Sequence, residues 1–447
     1  MTKARFRQIC GICAILIFLP IAVYYSRKGP LPDNSIKAGR KVTIQHINGR
    51  YAFYKDNKPF LVKGGAGYTF IKDLALSGGN TIICWDTAAL QTTLNQAAEY
   101  NLSVIIGLDI PGVQYPQIYK NKKKLAELFS AYSVLVDRYK DHPAVFAWCL
   151  GNELIFPFSP VYDPFYTAYN RLLGMIHRTD PNHPVCTTVI NVSRKNIFNI
   201  QWRVPAIDFI GLNSYYSIRT LQQDISQLKL FWKGPYIISE WAPLGTWEAP
   251  VTSWGAPIEK NSTEKAQEYT AAYVDYIAPL NDRRFLGSLA FYWGSRQEYT
   301  FTWYSVFNED GVPTEMKEAL NDCWTDSLTK HSSPELRQIL FDGNLSAKDN
   351  IMVSAGTLHK ADVFLKAGNS PDSVRCCWQV LKEDWALWGK PWDNFKKPAR
   401  VAGLLADSLQ HTSFTAPEKE GPYRLFVTVY NSKGYCATTN IPFYVLE

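Results

Sequence analysis

The chain has 447 residues, 46% of them hydrophobic and 14% aromatic, with 14 Trp and 26 Tyr. That length fits one large domain plus a smaller one, or up to three, with ample material for a globular core. The net charge of +7 is no sign of nucleic-acid binding: five basic residues and no acid lie in residues 1–29, leaving 42 basic against 40 acidic residues elsewhere.

Those five, Lys3, Arg5, Arg7, Arg27 and Lys28, flank an uncharged, mostly apolar run of 17 residues from Ile9 to Tyr25. This is the layout of an export signal with a basic inner flank. Val23-Tyr-Tyr before Ser26 offers no small residue for cleavage, so residues 1–29 are expected to remain as a membrane anchor. Residues 30–41 form a tether, and the globular part is expected to be exported, periplasmic or extracellular.

Residues 42–63 read as a hairpin turning through Asn48-Gly49 and Asp56-Asn57. Eight apolar runs of strand character follow: Phe60–Lys63, Asn80–Cys84, Ser103–Leu108, Val145–Leu150, Val185–Val189, Phe209–Asn213, Tyr236–Glu240 and Ser288–Trp293. Helical periodicity separates them, most clearly over Lys122–Lys140, where Leu125, Leu128, Phe129, Tyr132, Leu135, Val136 and Tyr139 trace one face. A second helix is expected from about Ser262 to Ile277, with Asn261 or Ser262 as N-cap and Glu264 in its first turn. Eightfold strand–helix alternation predicts an α/β fold, a (β/α)8 TIM barrel over 42–325. Residues 326–334 have linker composition. From 335 to 447 short alternating strands, including a hairpin through Asn431-Ser-Lys-Gly434, predict an immunoglobulin-like β-sandwich as accessory domain.

Two of the strands end on a carboxylate: Trp148-Cys-Leu-Gly-Asn-Glu153 and Tyr236-Ile-Ile-Ser-Glu240. A buried strand has no reason to finish on Glu unless that Glu faces a cleft, and barrel active sites occupy the C-terminal strand ends. The two Glu are 87 residues apart, about 29 per unit over three units, against roughly 31 in an average barrel. Paired carboxylates facing one another are what cleavage of a glycosidic bond requires. The aromatic excess serves either large cores or a cleft in which sugar rings stack on indole.

His142-Pro-Ala-Val-Phe-Ala-Trp-Cys-Leu-Gly-Asn-Glu153, Asp208-Phe-Ile-Gly-Leu-Asn-Ser-Tyr215, Tyr236-Ile-Ile-Ser-Glu240 and Gly287-Ser-Leu-Ala-Phe-Tyr-Trp293 together resemble the catalytic barrel of family 2 glycoside hydrolases. That family belongs to the retaining clan whose two glutamates end the fourth and seventh strands. The resemblance implies a retaining β-glycosidase acting on a β-linked oligo- or polysaccharide. It implies Glu153 as general acid/base and Glu240 as nucleophile. It further implies Asn152 on the sugar 2-OH, Tyr215 or Tyr216 holding Glu240, and Trp293 flooring the subsite of cleavage. Trp85 and Trp241 are further candidates for the cleft wall. The chain departs from the family where Ile83 stands in place of an Arg that contacts the nucleophile. Arg296 is the candidate substitute. Transglycosylation on the same residues, and a degenerate barrel that binds carbohydrate without cleaving it, are the alternatives.

No His/Cys/Asp cluster has metal-ligand spacing and no glycine-rich phosphate loop occurs, so neither metal nor cofactor is expected. The seven cysteines beyond the anchor are scattered, with Cys84, Cys149 and Cys186 in apolar runs, and do not read as a disulfide framework.

Overall fold

The structure, a computed structural model, describes residues 41–229, 232–366, 374–383, 398, 400–402 and 410–447. The expected anchor and all but the last residue of the tether lie outside them. Among the described residues no helix is long and apolar enough to cross a membrane. The expectation of a membrane-spanning anchor is therefore corrected: nothing in the described structure carries it.

An antiparallel sheet comes first: β1 (Val42–Ile47), β2 (Arg50–Lys55) and β3 (Lys58–Phe60). The parallel strands β4 (Val62–Ala66), β5 (Thr81–Cys84), β6 (Ser103–Leu108), β7 (Val145–Leu150), β8 (Val185–Ile190), β9 (Phe209–Asn213), β10 (Tyr236–Trp241) and β11 (Phe285–Phe291) then close into a barrel, with β11 pairing back onto β4. Two boundaries differ from expectation. Phe60 pairs with Phe53 in the small sheet, so the first barrel strand starts later. The eighth starts at Phe285 and ends before Trp293.

Alternation along the strands divides the apolar side chains into two cores. Ile83, Ile105, Phe146, Ala147, Cys149, Cys186, Phe209, Ile237 and Leu289 fill the barrel, joined by Val42, Tyr51 and Phe53 of the small sheet. That sheet closes the N-terminal end: Val42 N donates to Asn182 O and Tyr51 N to Arg283 O, in the segments leading into β8 and β11. Ile82, Val104, Ile106, Trp148, Val185, Ile210, Leu212, Tyr236 and Ile238 point outward, onto the helices.

Helix Lys122–Tyr139 is capped by Asn121, whose side chain accepts from Lys123 N and Lys124 N. Helix Ser262–Ala272 starts on a reciprocal capping box between Asn261 and Glu264. The last turns of the helical run, Tyr273–Ile277, widen to π geometry.

The C-terminal strands form two facing sheets. β12 (Leu336–Phe341), β14 (Leu358–Leu365) and β17 (His411–Thr415) make one. β13 (Met352–Ser354), β19 (Cys436–Leu446), β18 (Gly421–Asn431), β15 (Val374–Lys382) and β16 (Arg400–Ala402) make the other. Phe341, Val363, Trp378, Phe414, Leu425 and Phe443 pack between them. The molecule is thus a TIM barrel followed by a β-sandwich.

Candidate active site

β7 ends at Leu150, and the chain turns through Gly151 at φ 84° to Asn152 and Glu153. A Cβ on Gly151 would lie 2.3 Å from Leu154 Cδ1, in a left-handed conformation that side chains resist. Glu153 itself has φ 51°, and its N–H donates to Thr188 Oγ1 at 2.9 Å. Thr188 Oγ1 donates in turn to Asn152 Oδ1 at 2.7 Å, and Asn213 Nδ2 donates to Glu153 Oε1 at 3.0 Å. Ser239 Oγ completes the chain, donating to Asn213 Oδ1 at 2.6 Å. Three consecutive strand ends, β8, β9 and β10, thereby hold the half-buried Glu153.

Glu240 reaches the mouth through an irregularity. Ile238 pairs with Leu212 but Glu240 pairs with Asn213, so Ser239 is an extra residue in β10. Such a bulge shifts the inside/outside phase by one. Strict alternation from Ile237 would send Glu240 outward and Trp241 inward; the bulge reverses both. Glu240 is 6% exposed, with its Oε2 accepting from Tyr215 OH at 2.8 Å. The Tyr215 ring packs edge-on against Trp247 and Phe291 and tilted against Tyr304.

Burial pushes the Glu240 carboxyl up to about 8, and the charge of Glu153 adds to the rise. The Tyr215 hydroxyl and the Arg296 guanidinium oppose it, while Glu298 reinforces it. Glu153 is raised too, mainly by burial, with Asn213 favouring its ionised form and Glu298 disfavouring it. The charge of Glu153 thus bears on the ionisation of Glu240.

Of the residues expected at the site, Glu153, Asn152, Glu240 and Tyr215 are brought together. Between Tyr215 and Tyr216, the first holds Glu240; Tyr216 is 50% exposed on the rim. Trp85 is half-buried, its ring over Gly107 and against the barrel-interior core. Trp241 and Trp293 are corrected from substrate contacts to core residues. The bulge turns Trp241 into the helical layer, against Tyr269 and Tyr273. Trp293 is 0% exposed, donates from Nε1 to Phe70 O at 3.1 Å and packs on Phe307 and Trp324. Ile83 fills the barrel interior, and Arg296 lies in the segment after β11, its guanidinium 5.0 Å from the Phe291 ring centre. Asn213, Thr188, Ser239 and Glu298 join the site beyond the residues that the sequence singles out. Asn213 and Ser239 lie inside the motifs quoted above, which is the signal that was there to use.

No family model matches the chain. β-Glucuronidase of Rattus norvegicus is 28% identical over 181 residues, 37% of this chain and 26% of that protein. The chain thus spans about a quarter of that curated relative. Among solved structures, a GH2 β-galacturonidase from Eisenbergiella tayi bound to galacturonate superposes with a TM-score of 0.50 at 12% identity, over 65% of this chain and 54% of that one. An endo-β-1,4-mannanase from Thermotoga petrophila gives 0.42 at 13% identity, over 87% and 98%. The galacturonidase likeness is one of fold.

Proposed function

We propose that the protein is a retaining β-glycosidase that cleaves a β-linked oligo- or polysaccharide through a glycosyl-enzyme. The observation that carries this is the pair Glu153 and Glu240 at the ends of the fourth and seventh barrel strands, the first held by Asn213 and the second by Tyr215. Burial and the charge of Glu153 raise the affinity of Glu240 for a proton, while the Tyr215 hydroxyl and the Arg296 guanidinium oppose them. Double displacement uses the form in which Glu153 carries the proton and gives it to the leaving oxygen, while Glu240, ionised against its Tyr215 and Arg296 partners, attacks the anomeric carbon. Glu153 then takes a proton from the water that releases the sugar. A transferase uses the same steps with a sugar hydroxyl in place of water.

Placing Arg296 within electrostatic reach of Glu240 favours this reading over a degenerate barrel, since it provides a positive charge where Ile83 provides none. The rat relative is named a β-glucuronidase and one solved neighbour a β-galacturonidase, so β-uronides head the substrates to try. Export of the globular part, read from the basic-flanked N-terminal run, belongs to the same proposal.

The test is a panel of 4-nitrophenyl β-glycosides (glucuronide, galacturonide, glucoside, galactoside, mannoside) offered to the wild type and to Glu153→Gln and Glu240→Gln. Turnover of at least one, lost in both variants, supports the proposal. Sugar binding without turnover at any pH from 4 to 8 overturns it.

A further inference from the structure

The segment between β11 and helix Glu315–Thr325 works in two directions. Toward the mouth it presents Arg296 and Glu298, joined by an Nε–Oε2 bond of 2.7 Å. The Arg296 guanidinium lies over Phe291 and Tyr292, and Phe291 packs on the same Tyr215 that bonds Glu240. The charged and titratable groups facing Arg296 are Glu298, Tyr292, Glu240 and Tyr68, and Glu298 acts on both glutamates.

Away from the mouth, the same segment enters the junction with the sandwich. Thr300 Oγ1 and Thr302 Oγ1 donate to the two oxygens of Glu259 at 2.7 and 2.8 Å. Lys265 pairs with Glu259 and donates to Thr302 O at 2.8 Å. From the sandwich, Asn440 Nδ2 donates to Glu259 Oε2 at 2.6 Å. Arg424 holds Asn440 Oδ1, Glu383 Oε1 and Pro257 O, at 2.7, 2.6 and 2.8 Å. Phe301 packs at a tilt against Phe426 of β18, ring centres 4.6 Å apart. Glu259, Lys265, Glu383, Arg424, Asn440, Thr300 and Thr302 are all buried.

We propose that the C-terminal sandwich is a working part of the active site, with Asn440 and Arg424 as positioning residues. Through Glu259 they fix Thr300–Thr302, and so set where Arg296 and Glu298 stand against the catalytic pair. The link is short and stiff. Glu298 and Thr300 bond backbone to backbone in both directions at 2.9 Å, around Tyr299 at φ 66°. A displacement of Thr300 is thus carried to Glu298 rather than absorbed. Cohesion alone does not call for this junction. Apolar contacts such as Phe301–Phe426 cohere at less desolvation cost than four buried charges, whose satisfied geometry is what adds directional constraint. The inference rests on the glycosidase reading above.

Two readouts on the full chain test it, one of them independent of turnover. The first is kcat on the best 4-nitrophenyl glycoside. The second is the pH midpoint at which the Tm of the parent diverges from that of its Glu240→Gln variant, which reports the Glu240 carboxyl directly. Asn440→Ala, and the milder Asn440→Ser should the first not fold, are expected to lower kcat at least tenfold and move that midpoint by half a unit or more. Phe414→Leu, in the remote sheet of the sandwich, is expected to lower Tm while leaving kcat and midpoint in place. Wild-type kcat and midpoint in a folded Asn440 variant overturn the proposal, as does Phe414→Leu reproducing its losses. Should the wild type turn over no glycoside, the glycosidase reading has failed, and the midpoint still decides whether the sandwich governs the pair.

Discussion

Asn213 Nδ2 lies 3.0 Å from Glu153 Oε1, while its Oδ1 accepts from Ser239 Oγ at 2.6 Å. The amide is held at both ends, with its Nδ2 turned toward Glu153 Oε1 and Asn152 Oδ1 as donor. A fixed donor favours the carboxylate over the carboxylic acid, opposing the effect of burial. Hydrogen bonds to charged groups contribute about 1.5–3 kcal/mol. Asn213→Ala is therefore expected to lower kcat/KM by roughly ten- to a hundredfold and to raise the apparent pKa of the acid/base. Asn213→Asp, which offers no donor when ionised and adds a charge, should be worse than Ala. Equal activity of wild type and Asn213→Ala across pH 5–8 would remove Asn213 from the mechanism.

The pair's electrostatics set both activity and stability against pH. Glu240 is raised from 4.5 to about 8 by burial and by Glu153. Between those values the folded chain keeps a proton that the unfolded chain releases. The unfolded state then binds fewer protons, so stability falls as pH rises through the window. Glu240→Gln carries no such proton. It is expected to be more stable than wild type at pH 8.5, by on the order of 3–5 kcal/mol, with the gap narrowing toward pH 4.5. Catalysis, needing Glu240 ionised, should rise with pH along an acid limb that levels off near pH 8. Tm curves of the two proteins that run parallel from pH 4.5 to 8.5 would contradict this.

The barrel was legible because eight apolar runs separated by helical periodicity leave few other architectures. Glu153 and Glu240 were legible because a carboxylate closing such a run is costly unless it has a task. Trp241 was not, and the reason is local to two strands. The bulge at Ser239 is a property of the pairing between β10 and β9, so the residues of β10 alone do not disclose that phase shifts after Ile238. Trp293 was misread for a related reason. Gly65 and Gly67 of the first barrel unit make room for it, a Cβ on Gly65 lying 2.6 Å from Trp293 Cβ, so the ring seats in the core between elements far apart in sequence. Arg296 was legible only as a stand-in for the Arg missing at Ile83; Glu298, two residues on in the same irregular segment, carries no periodicity that would mark it.

Tyr215 separates a hydrogen-bonding role from a packing role. Its hydroxyl donates to Glu240 Oε2, while its ring is held by Trp247, Phe291 and Tyr304. Tyr215→Phe keeps the ring and removes the donor, which leaves the Glu240 carboxylate less stabilised and raises its pKa further. The expected result is a loss of tenfold or more in kcat with KM little changed. The pH optimum should move upward with the higher Glu240 pKa. A variant that lowers kcat without moving the pH profile would mean that Tyr215 acts on substrate and not through Glu240.

Trp247 and Trp293 should respond to truncation in opposite ways. Trp247 is 58% exposed at the rim, edge-on to Tyr215, in the segment after β10. A free indole face beside the catalytic pair is available for a sugar ring, and little folding energy depends on it. Trp247→Ala is expected to raise KM severalfold while Tm stays within a degree or two. Trp293 is enclosed by Phe307, Trp324 and Phe70 O, and burying a large aromatic is worth about 3–5 kcal/mol against Ala. Trp293→Phe, the gentler change, should lower Tm by several degrees, chiefly from the lost volume and the orphaned Phe70 carbonyl, with KM unchanged in the protein that remains folded. A raised KM in Trp293→Phe at unchanged Tm would return that residue to the substrate.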